Sequence, residues 1–260
     1  NPMCLILFAW NAHPTQRLIV AANRDEQHRR RTFALSHWDD LPILGGRDAV
    51  AGGTWMAVSA EVPDRVAMVT NVRVGPARRA GIRSRGQLPL DYLIGDDDPK
   101  VYAHRVLDDA AAYDPVNLLI ADRDELWWMT NWPEPRAERV ADGVHGLSNG
   151  ALDNDWPKVV DGAAALSGLV EADGGGSAGS PDESYFAMLA DQDRPDPTRL
   201  PDTGVGPQAE AALSPMFINI SGYGTRASTL LLVGYDGHGS MTERRYGWRG
   251  RRRGTTTLTF

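Results

Sequence analysis

Apolar positions come first in continuous runs and later at helical spacing. Met3 to Trp10 is an unbroken apolar run, Arg17 to Ala22 is a second, and Asn11-Ala12-His13-Pro14 lies between them. Short runs bounded by Asn and Pro read as strands joined by a turn, so the pattern predicts an N-terminal hairpin. Thr54 to Ala60 and Arg65 to Val72, split by the proline-containing Glu61 to Asp64, predict another. The pairs Gly45-Gly46 and Gly52-Gly53 predict a tight bend or a close backbone approach around Arg47 and Asp48.

Helical spacing then appears. Ser84 is placed to cap a helix through Leu88, Tyr92 and Leu93, and Asp98 to cap one through Val101, His104 and Leu107. Asn117 to Asp122 and Leu126 to Asn131 return to strand character, and Trp156 to Leu166 is again helical after the acidic Asp153 to Asp155. Glu171 to Ser180, rich in Gly and Ser, reads as a flexible surface loop. Ser228 to Val233, Met241 to Arg245 and Thr255 to Phe260 read as closing strands. Strands and helices are segregated, which predicts an α+β layered fold with antiparallel sheets, as one domain spanning residues 1–260.

Composition narrows the function. With 42% hydrophobic residues the chain can bury a sizeable core without a disulfide or metal. Cys4 is its one cysteine, so no disulfide can form within the chain, which fits a reducing compartment. The net charge of −7 argues against a nucleic-acid partner, because phosphate neutralisation needs a basic field. The clusters His28-Arg29-Arg30-Arg31 and Arg249 to Arg253 read as solvated surface able to meet an anionic ligand. The run Leu5 to Trp10 is too short to span a bilayer and lacks the features of a secretory signal. A cytoplasmic protein without an integral membrane segment is expected. Asn1 and Pro2 are read as additions ahead of a native initiator, Met3, which makes Cys4 the second native residue.

That position has a chemical meaning. Removing a methionine that precedes a small residue would leave Cys4 with a free α-amine, whose ordinary pKa of about 7.7–8.0 lets it accept the thiol proton without a histidine. Equally, Cys4 can open a buried strand as a small hydrophobe. Asn23-Arg24-Asp25-Glu26 ends the second strand of the predicted hairpin and so returns toward Cys4. There Asp25 is suited to hold an amine and Arg24 to clamp a carboxylate, or the four form a salt-bridged turn. Arg47, Arg73 and Arg226 are candidate anion contacts. Trp55 is the best pocket candidate among the tryptophans, the others reading as core. The six histidines show no paired metal spacing, and no phosphate loop, Cys-x-x-Cys or His-Glu-x-x-His site is present, so no metal ligands are assigned.

Met3-Cys4, Asn23-Arg24-Asp25-Glu26, Gly45-Gly46-Arg47-Asp48, Gly52-Gly53-Thr54-Trp55 and Thr70-Asn71-Val72-Arg73 resemble, in order, the successive motifs of the NRDE family, the transport and Golgi organisation protein 2 family. Ser84-Arg85-Gly86, Asn117-Leu118-Leu119, Leu147-Ser148-Asn149, Trp156-Pro157-Lys158 and Tyr223-Gly224-Thr225-Arg226 extend the match over nearly the whole chain. The resemblance implies a four-layer αββα sandwich similar to the N-terminal-nucleophile hydrolases of the penicillin V acylase type. Carried over, Cys4 would be the nucleophile, Asp25 would orient its amine, Asn149 would donate to the oxyanion and Arg226 would polarise the site. Asn23, Arg24, Glu26, Arg47, Trp55, Asn71 and Arg73 would contact ligand. Asn and Arg are exchanged in order relative to the acylases. The resemblance further implies intracellular handling of haem as cargo, or of an acyl or acyl-coenzyme A ligand, with a haem-accepting protein as a partner and no cofactor required. An N-terminal-cysteine amidohydrolase or acyltransferase is the alternative.

Overall fold

The computed structural model describes residues 3–74, 81–173 and 181–260. Two antiparallel sheets form its centre. The first contains, in spatial order, β10 (Gly143–Leu147), β1 (Met3–Trp10), β2 (Gln16–Gln27), β12 (Tyr223–Gly234), β13 (Gly239–Tyr246) and β14 (Arg252–Thr259), with the short β11 (Asn219–Ile220) paired to β12. The second follows chain order through β3 (Thr32–His37), β4 (Ile43–Asp48), β5 (Met56–Ser59), β6 (Val66–Asn71), β7 (Val116–Ala121), β8 (Leu126–Thr130) and β9 (Arg136–Arg139). Helices α1 (Gln87–Ile94) and α2 (Pro99–Asp108) cover the second sheet; α3 (Pro157–Asp173) and α4 (Pro181–Leu189) cover the first, and α5 (Pro207–Leu213) lies beside them.

Three apolar layers account for this stacking. Ile6, Phe8 and Trp10 of β1 point inward with Leu18 and Val20 of β2, and meet Met56, Val58, Met68 and Trp128 of the other sheet. The intervening Leu5, Leu7 and Ala9 point outward onto Val159 and Leu166 of α3 and Phe186 of α4. Successive strand residues face opposite ways, so a strand covered on both sides is apolar at every position, which is why β1 reads as an unbroken run. On the far side Ala67, Leu118 and Ile120 meet Leu88 and Tyr92 of α1 and Tyr102 of α2. Each such fully buried side chain contributes roughly 1.5–3 kcal/mol.

Local expectations fare unevenly. Both predicted hairpins form, with Cys4 opposite Arg24 and Met56 opposite Met68. Asp98 caps α2, its carboxylate accepting from the Val101 N–H at 2.8 Å, with Pro99 at the first helical position. Ser84 does not cap α1. Gly86 holds that place without a side-chain cap because its backbone lies against Gly53, where a Cβ would come within 2.5 Å of the Gly86 carbonyl. Gly45-Gly46 is strand rather than bend: a Cβ on Gly45 would stand 2.7 Å from the Ala57 Cβ, so the expected close approach is real, while Gly52 takes the turn at φ +74°. Of the predicted Glu171 to Ser180 loop, 171–173 belong to α3 and 174–180 lie outside the described residues. Among the described residues no helix is long and apolar enough to cross a membrane.

Gly45→Ala is expected to lower stability by about 1–3 kcal/mol, because the Ala57 and Met56 backbone must give way. Gly168→Ala, exposed in α3 with open space around it, should raise it by about 0.5–1 kcal/mol. Denaturant titration of the two variants beside the parent checks both.

Candidate active site

The register of β1 on β2 places Cys4 across from Arg24 and Met3 across from Asp25, at the end of the first sheet. Alternation then divides the polar stretch. Arg24 and Glu26 turn inward with Cys4, and Asn23 and Asp25 turn toward the helices. β12 flanks β2 on its other side, Thr225 opposite Asp25 and Ala227 opposite Arg24, so that Arg226 is the extra residue of a bulge.

Inward, Cys4, Arg24, Glu26, Trp55 and Asn71 line a cleft of about 630 Å³ between the sheets. A second chamber of about 420 Å³ adjoins it, sharing Arg24, Thr32, Gly46 and Trp55, and adds His28, Phe33, Arg245, Trp248 and Arg253. His28 and Arg253, one from each basic cluster and more than two hundred positions apart, both line this chamber, and the His28 and Trp248 rings lie 5.5 Å apart. Burial and the neighbouring Asp25 push the Cys4 thiol up to about 12, against the pull of Arg24, so the thiol is protonated at neutral pH.

Outward lies a buried set of charges. Asp25 is fully buried; Thr225 Oγ1 donates to its Oδ1 at 2.6 Å, and its Oδ2 has no hydrogen-bond partner among the described residues. Burial raises the Asp25 carboxyl above the usual range, opposed first by Lys158. Lys158 of α3, 5% exposed, donates to the Leu213 carbonyl at 2.8 Å, and burial lowers its ammonium while Asp25 draws it back up. Alongside, Arg73 and Glu210 form a buried ion pair at 2.5 Å, with Glu210 also accepting from Thr203. The loop 148–150 ties the sheets together here. Ser148 Oγ donates to the Cys4 carbonyl at 2.9 Å, while the Ser148 carbonyl accepts from Thr70 at 2.6 Å.

Comparison with known proteins shows the family. The family model described as Transport and Golgi organisation 2 matches residues 3–247. The chain belongs to that family. It is 32% identical to the Transport and Golgi organization protein 2 homolog of Homo sapiens over 93% of this chain and 92% of the relative. It is 30% identical to the homolog of Mus musculus over the same shares, and 27% identical to the Drosophila melanogaster protein over 89% and 88%.

The family motifs gather at this end of the molecule, but their side chains divide among different tasks. Cys4, Arg24, Glu26, Arg47, Trp55 and Asn71 line the cleft. Asn23 does not: its Nδ2 donates to the Leu189 and Met216 carbonyls and its Oδ1 accepts from Ser228. Asn149 lies behind the cleft, donating to the Asn71 carbonyl at 2.8 Å. Arg226 lines the second chamber, its guanidinium donating to the carbonyls of Gln27, His28, Arg30 and Tyr246 and so holding the basic loop. Arg47 chelates Asp40 over the Trp38 ring. Arg73 stacks on Trp156 beside its pair with Glu210. Reading residues by type passes over Lys158, since a helical lysine is ordinarily solvated; the Trp156-Pro157-Lys158 motif was its one signal.

Arg73→Met strands Glu210 as an unpaired buried charge and should cost about 3–5 kcal/mol. Pairing it with Glu210→Gln should return a large part of that loss, which a double-mutant cycle by denaturation measures.

Proposed function

We propose that the chain is an N-terminal-nucleophile protein in which Cys4, freed of Asn1 to Met3, exchanges acyl groups with an amphipathic amide or thioester bound between the sheets. The observation that carries this is the buried, unpartnered Asp25 Oδ2 beside the strand position that precedes Cys4. A lone pair kept dry and unbonded costs free energy, and a freed α-ammonium at Cys4 would satisfy it. The layering of helices outside two antiparallel sheets supports this reading.

In the proposed reaction the α-amine takes the thiol proton and the thiolate attacks the acyl carbonyl, forming a C–S bond. The oxyanion forms on the cleft side, where Arg24 is the cation acting on the sulfur. The bond to the leaving nitrogen or sulfur breaks as the ammonium returns its proton to that atom. Water then cleaves the thioester, giving its proton to the amine and releasing the acid. Arg24 supplies the cation nearest the sulfur, opposing the rise in thiol pKa.

The second chamber favours a related reading, carriage of an amphipathic anion without turnover. Phe33, Trp55 and Trp248 offer apolar faces, Arg245 and Arg253 offer cations, and both His28 ring nitrogens are buried without hydrogen-bond partners among the described residues. Haem has the matching chemistry, an apolar plate with two carboxylates and an iron that imidazole can ligate.

Protein beginning at Cys4 is expected to gain one acyl mass when incubated with acyl-coenzyme A and amide donors, and Cys4→Ala to gain none. Intact mass spectrometry reads both; a properly processed chain that never acylates ends the nucleophile reading. For carriage, haem titration should saturate at unit stoichiometry, with His28→Ala weakening the absorption change. Unsaturable binding, or a His28→Ala profile identical to the parent, counts against it.

A further inference from the structure

Lys158 has no role in the reaction just described, and its setting is costly. An ammonium has three donors, and among the described residues only the Leu213 carbonyl takes one of them. A lysine that merely anchored that carbonyl could be replaced by a neutral donor without the expense of burying a charge. Asp25 is the anion that acts on it most strongly, with one oxygen accepting from Thr225 and the other unbonded among the described residues. The register of β1 on β2 brings the main chain just ahead of Cys4 to that carboxylate.

The charges facing Lys158 are Asp25 from β2, Cys4 from β1, Arg73 after β6 and Glu210 from α5. Arg73 and Glu210 neutralise one another as an ion pair. What is left facing the Lys158 ammonium is the Asp25 carboxyl, each drawing the other toward its charged form against burial. An aspartate alone would orient an α-amine well but would also hold it as ammonium, which cannot accept the thiol proton. A nearby cation cancels that effect.

We propose that Lys158 sets the charge state of the Cys4 α-amine, offsetting Asp25 so that the amine is oriented by the carboxylate yet remains neutral, and therefore a base, near pH 7. The inference rests on the N-terminal-nucleophile reading. It makes Lys158 a positioning residue, acting on the amine and not on substrate. Burial works in the same direction, since desolvation also favours the neutral amine.

The test uses iodoacetamide, whose iodide the Cys4 thiolate displaces to form a thioether, with rates followed from pH 5 to pH 10 by intact mass. Protein beginning at Cys4 is compared with protein retaining Met3, and then with Lys158 variants of the processed form. Processed parent should alkylate faster at neutral pH than the Met3-retaining form. If the two profiles coincide, the nucleophile reading fails, and this inference with it. Lys158→Met should move the profile midpoint upward by about one pH unit, equivalent to about tenfold slower alkylation at neutral pH, and Lys158→Arg should restore it. Lys158→Gln keeps a donor for the Leu213 carbonyl and serves if the Met variant does not fold. A neutral variant whose midpoint matches the processed parent overturns the inference while leaving the nucleophile reading intact. A Lys158→Arg profile that follows Met overturns it too, because then geometry and not charge is at work.

Discussion

The polar loop 148–150, buried where the sheets meet, is the constraint on which the rest of the site depends. Ser148 holds the Cys4 carbonyl of one sheet and the Thr70 hydroxyl of the other; Asn149 holds the Asn71 carbonyl; and Asn117 reaches the Gly150 carbonyl and Thr70 Oγ1 together. Apolar side chains between two sheets set a spacing but tolerate sliding, since dispersion and burial have no preferred direction. Hydrogen bonds do have one. In a dry interior, losing a single partner exposes the full desolvation cost of the other, so the loop fixes the offset of β1 on β6 and with it the position of the thiol relative to Asn71.

Around that anchor the molecule separates its charges by layer. On the inner side Arg24 and Glu26, themselves buried, line the cleft. On the outer side Asp25, Lys158, Arg73 and Glu210 are sealed beneath helices. Strand alternation alone makes this division: neighbours in sequence, Arg24 and Asp25, belong to different environments. The bulge at Arg226 extends the same logic, since an extra residue in β12 frees a guanidinium to gather the loop carbonyls that shape the second chamber.

Legibility in the sequence followed burial. β1, β2, β5 to β8 and the first three helices come from apolar runs or spacings strong enough to be read directly. β4 was hidden because Gly45 and Gly46 signal a bend, whereas in the fold Gly45 allows close strand contact with Ala57; β3 is short and mostly exposed, so it shows no apolar run. β9 and β10 are short and carry Arg, Glu, His or Gly, and α5 has seven residues, so none shows a period of useful length. Of the site, Cys4 and the 23–26 stretch were visible through hairpin geometry, but not which of the four residues face the cleft. Lys158 was not visible as a buried charge, because only the arrival of the 213 carbonyl and Asp25 from distant parts of the chain removes it from water.

The outer edges of the two sheets differ in a way that bears on self-association. β9 ends its sheet with Arg136, Glu138 and Arg139, all exposed, and a second chain pairing along it would have to bring fixed charges together. β14 ends the other sheet with Arg252 and Arg253 at one end and Thr255-Thr256-Thr257-Leu258 after them, a stretch of high strand propensity without charge. The edge of this sheet most open to intermolecular strand addition is therefore at β14, where the two arginines act as gatekeepers against it.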